Sequence, residues 1–390
     1  MNRKDQNTRP LAGPLIAIVV MLSVLGLAMV LSASSIDALQ LYGSPWAIFS
    51  KQVMWMLVGA SAMVFAATKI SMKNLQWISS PFLVICFIGL LAVLVPGLGV
   101  YSAGSTRWIG VGIFKVQPSE LMKLAIVLFG ASLLSRRKNQ IEDWKSTTRP
   151  LVIVSGAAIT LIMLQPDMGT SIVIGCIFFS LLFAACAPGR VMVLLGVSGG
   201  VVGSFLALHS TYRRERLLSF VHPLASQTQG GYQVVQSLVG MGSGHLFGVG
   251  LGASTVKWGF LPNDHTDFIF AVIGQELGLV GSLFVLALFG AFGYIGFTIA
   301  KESQDEFSHL VAIGITTWIL SQAFINIGAV IGGLPVTGIP LPLVSFGGSS
   351  LVGDMAALGI LVAIAKNNTN RDQAKNSRSK AKPKLVSSQK

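Results

Sequence analysis

The sequence predicts an all-α integral membrane protein of about ten transmembrane helices, and two observations carry this prediction. Only 11% of the 390 residues are charged and 52% are hydrophobic, whereas soluble domains carry about 25% charged residues. Apolar runs of about 20 residues, long enough to cross the hydrocarbon core of a bilayer, recur along the chain. We place the spans at residues 12–32, 52–68, 75–95, 118–134, 150–165, 169–187, 190–208, 267–300, 308–330 and 348–365.

The net charge of +13 indicates how these spans are oriented. Lys and Arg concentrate in the cytoplasmic loops of membrane proteins, and most of them share one side of the membrane when both termini are cytoplasmic. We therefore predict a multi-pass protein of the plasma membrane with both termini inside. A basic surplus in this setting favours anionic lipid or a partner protein, so we predict no nucleic-acid partner.

The chain divides into three parts. Residues 1–11 form a cytoplasmic tail, residues 12–365 form the transmembrane domain, and residues 366–390 form a basic cytoplasmic tail. The last part is polar and lacks an apolar face, so we predict that it is disordered. A large extracytoplasmic loop at residues 209–266 separates the seventh and eighth helices, and a loop of that length inside a compact domain is usually functional or disordered. Its aromatic residues favour a packed loop that forms part of a site.

A Gly- and Pro-rich stretch at residues 332–342 interrupts the apolar pattern before the tenth helix. Such a stretch cannot form a helix that faces lipid, because its unpaired backbone groups would lie in hydrocarbon. We predict a re-entrant segment that is buried in protein or lines a cavity.

We single out five ionisable side chains within the predicted spans or at their outer ends: Glu120, Lys123, Asp167, Asp267 and Glu276. An ionisable group inside a bilayer costs at least about 2.5 kcal/mol, so each one needs a reason. Glu120 and Lys123 are three residues apart on one face of the fourth helix and can pair, and Asp267 can simply cap a helix. Because Asp167 and Asp267 both fall at outer helix ends, we favour a shared polar cavity for these charges. A carboxylate at Asp267 facing such a cavity would suit a general base acting on a hydroxyl as well as it suits a helix cap.

A basic cluster lies at the start of the large loop, within residues 212–216 (YRRER). It consists of Arg213, Arg214 and Arg216. A solvated surface explains it, but guanidinium groups also bind phosphate oxygens through paired donors. We predict a phosphate-binding patch, to which Arg107 and Lys257 can add.

Several motifs, taken together and in order, resemble the SEDS (shape, elongation, division and sporulation) family of integral membrane proteins. The resemblance covers residues 12–365, and the stretches at 212–217 and 257–259 favour the cell-division branch of the family over its elongation branch. The matching motifs lie at residues 104–109 (GSTRWI), 117–123 (QPSELMK), 165–170 (QPDMGT), 231–233 (GYQ), 265–270 (HTDFIF), 340–342 (PLP) and 347–350 (GGSS). The HTDFIF and GGSS motifs add His265 and Ser349 to the candidate site residues.

The resemblance implies a peptidoglycan glycosyltransferase, a bacterial enzyme that polymerises lipid II during septal cell-wall synthesis. Lipid II is a disaccharide pentapeptide linked to undecaprenyl pyrophosphate, which would be the leaving group. Asp267 matches the essential aspartate of the family, and Glu120, Lys123 and Asp167 match its cavity charges. The implied partners are a class B penicillin-binding protein transpeptidase of the FtsI type and other division proteins at the septum. No cofactor is certain, although a divalent cation, Mg²⁺ or Mn²⁺, is a candidate.

Three alternatives stay open from the sequence: a lipid II flippase, a non-catalytic division scaffold and an elongation-type polymerase. The chain also departs from the family pattern. Asn263 and Gln275 stand where the family usually has Glu, and His245 stands where it often has Gly. Because two carboxylates are missing, we assign no catalytic or metal-binding role to Asn263 or Gln275.

Overall fold

The computed structural model describes residues 10–102, 105–111, 114–141, 143–209, 214, 216, 220–221 and 229–381. These residues form twelve α-helices, a short 3-10 helix (Lys138–Gln140), a short π-helix (Trp144–Thr148) and one small antiparallel sheet. The helices are α1 (Ala12–Tyr42), α2 (Ala47–Lys69), α3 (Met72–Leu94), α4 (Pro118–Arg136), α5 (Arg149–Leu164), α6 (Met168–Ala184), α7 (Gly189–His209), α8 (Gln229–Ser243), α9 (Ile269–Glu276), α10 (Gly278–Glu302), α11 (Glu306–Val330) and α12 (Gly348–Ala381). The strands are β1 (Gly99–Ser102), β2 (Ser105–Val111) and β3 (Phe114–Val116).

The predicted class, an all-α integral membrane protein, is confirmed. Eight helices in the described part of the chain are long and apolar enough to cross a membrane, and the apolar helices α6 and α7 lie where we placed the sixth and seventh spans. The total of ten spans stays a prediction.

Three helices, α4, α11 and α12, form the centre of the bundle. In each of these helices at least 72% of the most apolar 18-residue segment is buried inside the protein. In α2 only 17% of the corresponding segment is buried. Small residues allow the close contacts: a Cβ at Gly359 of α12 would lie 2.4 Å from the backbone oxygen of Met63 in α2. Close backbone approach at glycine is typical of helix packing in membranes.

The first helix is longer than predicted. It continues past residue 32 to Tyr42 and ends at Gly43, which adopts a left-handed conformation (φ +71°) and donates its N–H to the oxygen of Leu39. The sequence contains neither Gly nor Pro between residues 32 and 42, so nothing local ends the helix earlier. The extension carries Asp37 beyond the end of the predicted span.

The eighth predicted span, residues 267–300, is two helices. The break falls between α9 and α10, at Leu277 and Gly278. Gly278 has a φ of +68°, and a Cβ there would lie 2.4 Å from the backbone nitrogen of Gly248. The loop that carries Gly248 therefore packs against the break, and only glycine fits both the conformation and the contact.

Three further features differ from the prediction. The strands β1, β2 and β3 form a three-stranded sheet in that order, which the all-α pattern missed. The large loop contains the helix α8. The last helix continues to Ala381, so part of the tail predicted to be disordered is helical.

The Gly- and Pro-rich stretch runs between α11 and α12 without regular structure. Its apolar side chains, including Val336, Ile339 and Leu341, are buried. It packs on α1, where a Cβ at Gly26 would lie 2.6 Å from the oxygen of Leu343. Burial in protein agrees with the expectation for irregular backbone among membrane helices.

Candidate functional site

Asp267 lies in the turn before α9 and does not cap that helix. The N-cap residue of α9 is Phe268, and no side chain caps it. Asp267 is partly exposed and lines a small crevice together with Thr337 and Gly338 of the Gly/Pro stretch. Its carboxylate is therefore not used for helix capping and faces a space that a ligand can approach.

The backbone at Asp267 is held by Asn326 of α11. The Nδ2 atom of Asn326 donates to the oxygen of Asp267 at 2.7 Å and to the oxygen of Ile339 at 2.7 Å. One buried amide thus ties the turn that carries the carboxylate to the Gly/Pro stretch.

Arg216 is the predicted phosphate-patch residue that reaches Asp267. Its Nη1 atom donates to the oxygen of Val336 at 2.8 Å. A Cβ at Gly338 would lie 3.5 Å from Oδ2 of Asp267 and 3.6 Å from Nη1 of Arg216. The carboxylate and the guanidinium group therefore flank the same glycine, which has a φ of +74°.

The surroundings of Asp267 have opposing effects on the pKa of its carboxyl group. Loss of solvation in the crevice raises the pKa of the carboxyl group to about 6, and the negative charge of Asp167 adds to the rise. The positive charges of Arg216, Arg107 and His265 act against it. Desolvation outweighs these charges, and the resulting pKa suits a general base near neutral pH.

Arg107 of β2 holds a neighbouring turn. Its Nε atom donates to the oxygen of Gln165 at 3.0 Å, and its Nη2 atom donates to the oxygen of Pro166. These bonds fix a positive charge near Asp267 by anchoring the guanidinium group to backbone.

Asp167 is the helix-capping aspartate. It is the N-cap of α6, where Oδ1 accepts from the Thr170 nitrogen at 3.2 Å. Its Oδ2 atom accepts from the hydroxyl of Thr170 at 2.9 Å, from Ser119 at 3.1 Å and from Gln117 at 3.0 Å. The residue joins the 117–123 and 165–170 motifs, so its contacts are those of a positioning residue.

Glu120 and Lys123 form an ion pair, 2.8 Å apart and almost fully buried, which is the alternative to the shared cavity that we favoured for them. The Nζ atom of Lys123 also donates to Gln322 at 2.7 Å and lies 4.9 Å from the ring centroid of Trp318. The pair is thus packed inside the bundle.

Asp354 of α12 belongs with this pair, and sequence reasoning missed it. Its side chain is buried, and Lys123 and Glu120 are the charged groups that act on it. Its position in the sequence could have identified it, because ionisable residues are rare inside a transmembrane span such as the predicted span 348–365.

Lys257 does not take the place predicted for it in a phosphate patch. It is buried, its Nζ atom lies 3.9 Å from Oε1 of Glu276, and it donates to the oxygen of Gly252. The same carboxylate oxygen accepts from the hydroxyl of Ser32 at 2.6 Å. Lys257 therefore belongs to an internal ion pair that ties the loop to the end of α9.

Four predicted site residues remain, and three of them lie apart from Asp267 or outside the described residues. Arg213 lies outside the described residues, and Arg214 is exposed. Ser349, in the first turn of α12, is buried, and its hydroxyl has no hydrogen-bond partner within the part of the chain that the structure describes.

His265 lies between two carboxylates that sequence reasoning did not select. Its Nδ1 atom lies 3.0 Å from Oδ1 of Asp264 and 3.7 Å from Oδ2 of Asp37. Two carboxylates and an imidazole form a mixed oxygen and nitrogen donor set that a divalent first-row metal such as Mn²⁺ can use, whereas Mg²⁺ prefers oxygen donors alone. This trio is the set of described residues that fits the candidate cation.

The fold and the site together define a multi-pass membrane protein whose carboxylate–guanidinium site lies where a long loop, a small sheet and a buried Gly/Pro stretch meet. The family model FTSW_RODA_SPOVE, described as cell cycle protein, matches residues 14–370. The chain belongs to this FtsW/RodA/SpoVE family, which confirms the resemblance inferred from its motifs.

Two relatives illustrate the similarity. The chain is 42% identical over 353 residues to the "Probable peptidoglycan glycosyltransferase FtsW" of Mycobacterium tuberculosis, with 90% of this chain and 67% of that protein covered. It is 39% identical over 354 residues to the "Stage V sporulation protein E" of Bacillus subtilis, covering 90% and 96% of the two chains.

Solved structures share the fold. A chain from a peptidoglycan synthase complex that coordinates polymerization and crosslinking superposes with a TM-score of 0.75 at 25% identity, covering 91% of this chain and 98% of that one. The rod shape determining protein RodA of Thermus thermophilus gives a TM-score of 0.67 at 24% identity, covering 91% and 96%.

Proposed function

We propose that this protein is a peptidoglycan glycosyltransferase that polymerises lipid II during septal wall synthesis. The observation that carries the proposal is the surroundings of Asp267, a partly exposed carboxylate with a pKa raised to about 6 beside two anchored guanidinium groups. The family relationship and the names of the relatives support the same activity.

The proposed reaction uses Asp267 as the general base. Its carboxylate takes the proton of the acceptor 4-hydroxyl as that oxygen bonds to the anomeric carbon of the donor sugar. The bond from the anomeric carbon to the pyrophosphate oxygen breaks, and undecaprenyl pyrophosphate leaves. At pH 7 a carboxyl group with a pKa of about 6 is mostly ionised and can accept the proton.

Arg216 and Arg107 stabilise the negative charge of the leaving pyrophosphate in this proposal. Each guanidinium group is held by backbone carbonyl oxygens, so its charge is in place before the reaction begins. Fixed charges of this kind lower the barrier because they need little rearrangement as charge develops. A bound divalent cation would supply further positive charge.

The proposal includes partners and location. The similar chain from a peptidoglycan synthase complex supports a transpeptidase partner, and we propose a class B penicillin-binding protein of the FtsI type. We also propose that both termini are cytoplasmic and that the protein acts at the septum. Depletion of the protein should then give filamentous cells, whereas a role in elongation would give rounded ones.

The contacts of the buried ion pair weigh against the flippase alternative. Lys123 packs against Trp318 and donates to Gln322, and Glu120 is buried as its ion-pair partner, so the two residues do not line an open path. The Asp267 crevice, by contrast, adjoins a long loop and not the centre of a spanning helix, where transporter sites lie.

The test is polymerisation of purified lipid II by the protein with its partner. We expect glycan strands from the wild type and none from Asp267→Ala, with both proteins eluting as folded monodisperse complexes. Asp143→Asn, which changes an exposed carboxylate between α4 and α5, is the matched control and should polymerise normally. Strand synthesis by Asp267→Ala, or lipid II translocation without polymer, would refute the proposal.

A further inference from the structure

We propose that Asp37, Asp264 and His265 bind one divalent cation and so join the outer extension of α1 to the loop that carries Asp267. The ligand atoms are one oxygen from each carboxylate and a ring nitrogen of His265, and all three lie within 4.8 Å of one another. Asp37 is more than 200 positions from the adjacent residues Asp264 and His265, so the cluster of three exists only in the folded protein.

The distances suit a shared cation. His265 Nδ1 lies 3.0 Å from one carboxylate oxygen and 3.7 Å from the other. Ligand atoms at about 2.1 Å from a metal centre stand roughly 3.0 to 3.5 Å from each other in octahedral or tetrahedral arrangements. Small side-chain adjustments therefore suffice to bring all three onto one ion.

The charge balance is the second, independent observation. Asp264 is 2% exposed, and among the described residues the charged groups that act on it are His265 and the like-charged Asp37, not a Lys or an Arg. A buried carboxylate with a second carboxylate beside it and only an imidazole for a partner is stabilised by a cation.

The histidine ring is already oriented for binding. Phe346 donates its backbone N–H to the oxygen of His265 at 2.9 Å, and the two rings pack edge to face with centroids 5.8 Å apart. Because backbone and ring are both held, little conformational freedom is lost on binding. Asp37 is about one-third exposed, so the cation can enter from the side of α1.

We expect the bound cation to hold the turn that carries Asp267 in place. His265 is two residues before Asp267, so a cation bound to His265 and to Asp37 of α1 restrains the turn that carries the proposed base. This consequence rests on the proposed function, whereas cation binding itself does not and is measured separately.

The experiment is Mn²⁺ titration of the full-length protein in detergent, followed by electron paramagnetic resonance. We expect one saturable site, with pulsed spectra that contain the modulation from a directly bound imidazole nitrogen. Asp37→Asn and Asp264→Asn should each weaken Mn²⁺ binding at least tenfold, and His265→Gln should remove the nitrogen signal. Asp37→Asn is the safest variant for folding because Asp37 is the most exposed of the three.

Two control variants separate this proposal from the proposed function. Asp143→Asn should bind Mn²⁺ like the wild type. Asp267→Ala should also bind Mn²⁺ but should not polymerise lipid II. Absence of a saturable site in the wild type, or equal binding by wild type, Asp37→Asn and Asp264→Asn, would overturn the cation site and leave the role of Asp267 untouched.

Discussion

The side-chain amide of Asn326 donates a 2.7 Å hydrogen bond to the backbone oxygen of Asp267. Asn326 lies on a central helix and is almost fully buried. The same nitrogen binds the oxygen of Ile339, so a single residue sets the position of the proposed base relative to the Gly/Pro stretch.

Replacing Asn326 with Ala should therefore impair both stability and activity. Two buried carbonyl oxygens lose their partner, and an unsatisfied buried group costs about 1–3 kcal/mol. We expect a lower melting temperature and a clear loss of polymerisation measured below that temperature. Asn368→Ala is the matched control, because Asn368 likewise donates to a buried-helix carbonyl, that of Ile299, at 3.1 Å but far along α12. Equal activity loss in both variants would show a general effect of destabilisation.

Polymerisation should fall on the acid side as Asp267 becomes protonated. The pKa of about 6 predicts half-maximal activity near pH 6, since only the ionised carboxylate accepts a proton. Arg216 lowers this pKa, so Arg216→Gln should move the acid limb to higher pH as well as reduce the maximal rate. The measurement is the pH–rate profile of both proteins, and an acid limb that stays in place would argue against Asp267 as the titrating base.

The carboxylate of Asp267 should make the folded protein less stable near neutral pH. Its folded pKa of about 6 lies above the ordinary value of 3.8, so the folded state binds the proton more tightly and becomes less stable as the pH rises from about 4 to above 6. Asp267→Asn removes this cost. We expect its melting temperature at pH 7.5 to exceed that of the wild type, with the difference vanishing near pH 4, while polymerisation is lost.

Replacing both Glu120 and Lys123 should destabilise the protein less than replacing Lys123 alone. Lys123→Met leaves Glu120 and Asp354 without the cation that acts on both, and breaking a buried pair costs about 3–5 kcal/mol. Glu120→Gln together with Lys123→Met should recover part of that loss. Thermal unfolding of the three proteins measures the coupling, and a double variant less stable than Lys123→Met would contradict it.

The break between α9 and α10 should depend on Gly278. An added Cβ meets the backbone of Gly248 at 2.4 Å and must adopt a φ of +68°, so Gly278→Ala should reduce the melting temperature and release the loop from α10. Gly290→Ala, on the same helix, is the control: nothing lies within 4 Å of its Cβ position, and the change should be neutral or stabilising. Limited proteolysis measures the effect: the loop that carries Gly248 should be cleaved faster in Gly278→Ala than in Gly290→Ala.

Asp167 and Asp267 show how far sequence reasoning reaches at this site. Both precede an apolar run, so their local patterns are alike. The structure distinguishes them: Asp167 caps α6 and accepts four hydrogen bonds, while Asp267 caps no helix. The difference comes from neighbours such as Ser119 and Arg216, which lie far away in sequence.

The sequence by itself determined the membrane-embedded helical class, most span positions and the motifs of the family, because the length of an apolar run and the order of a motif are local properties. It missed the extension of α1, the sheet and the break at Gly278, and it misjudged Lys257. Only the tertiary structure decided which charges meet, because the pairing of Asn326 with Asp267, of Asp354 with the Glu120–Lys123 pair and of Asp37 with His265 depends on how helices distant in the chain pack together.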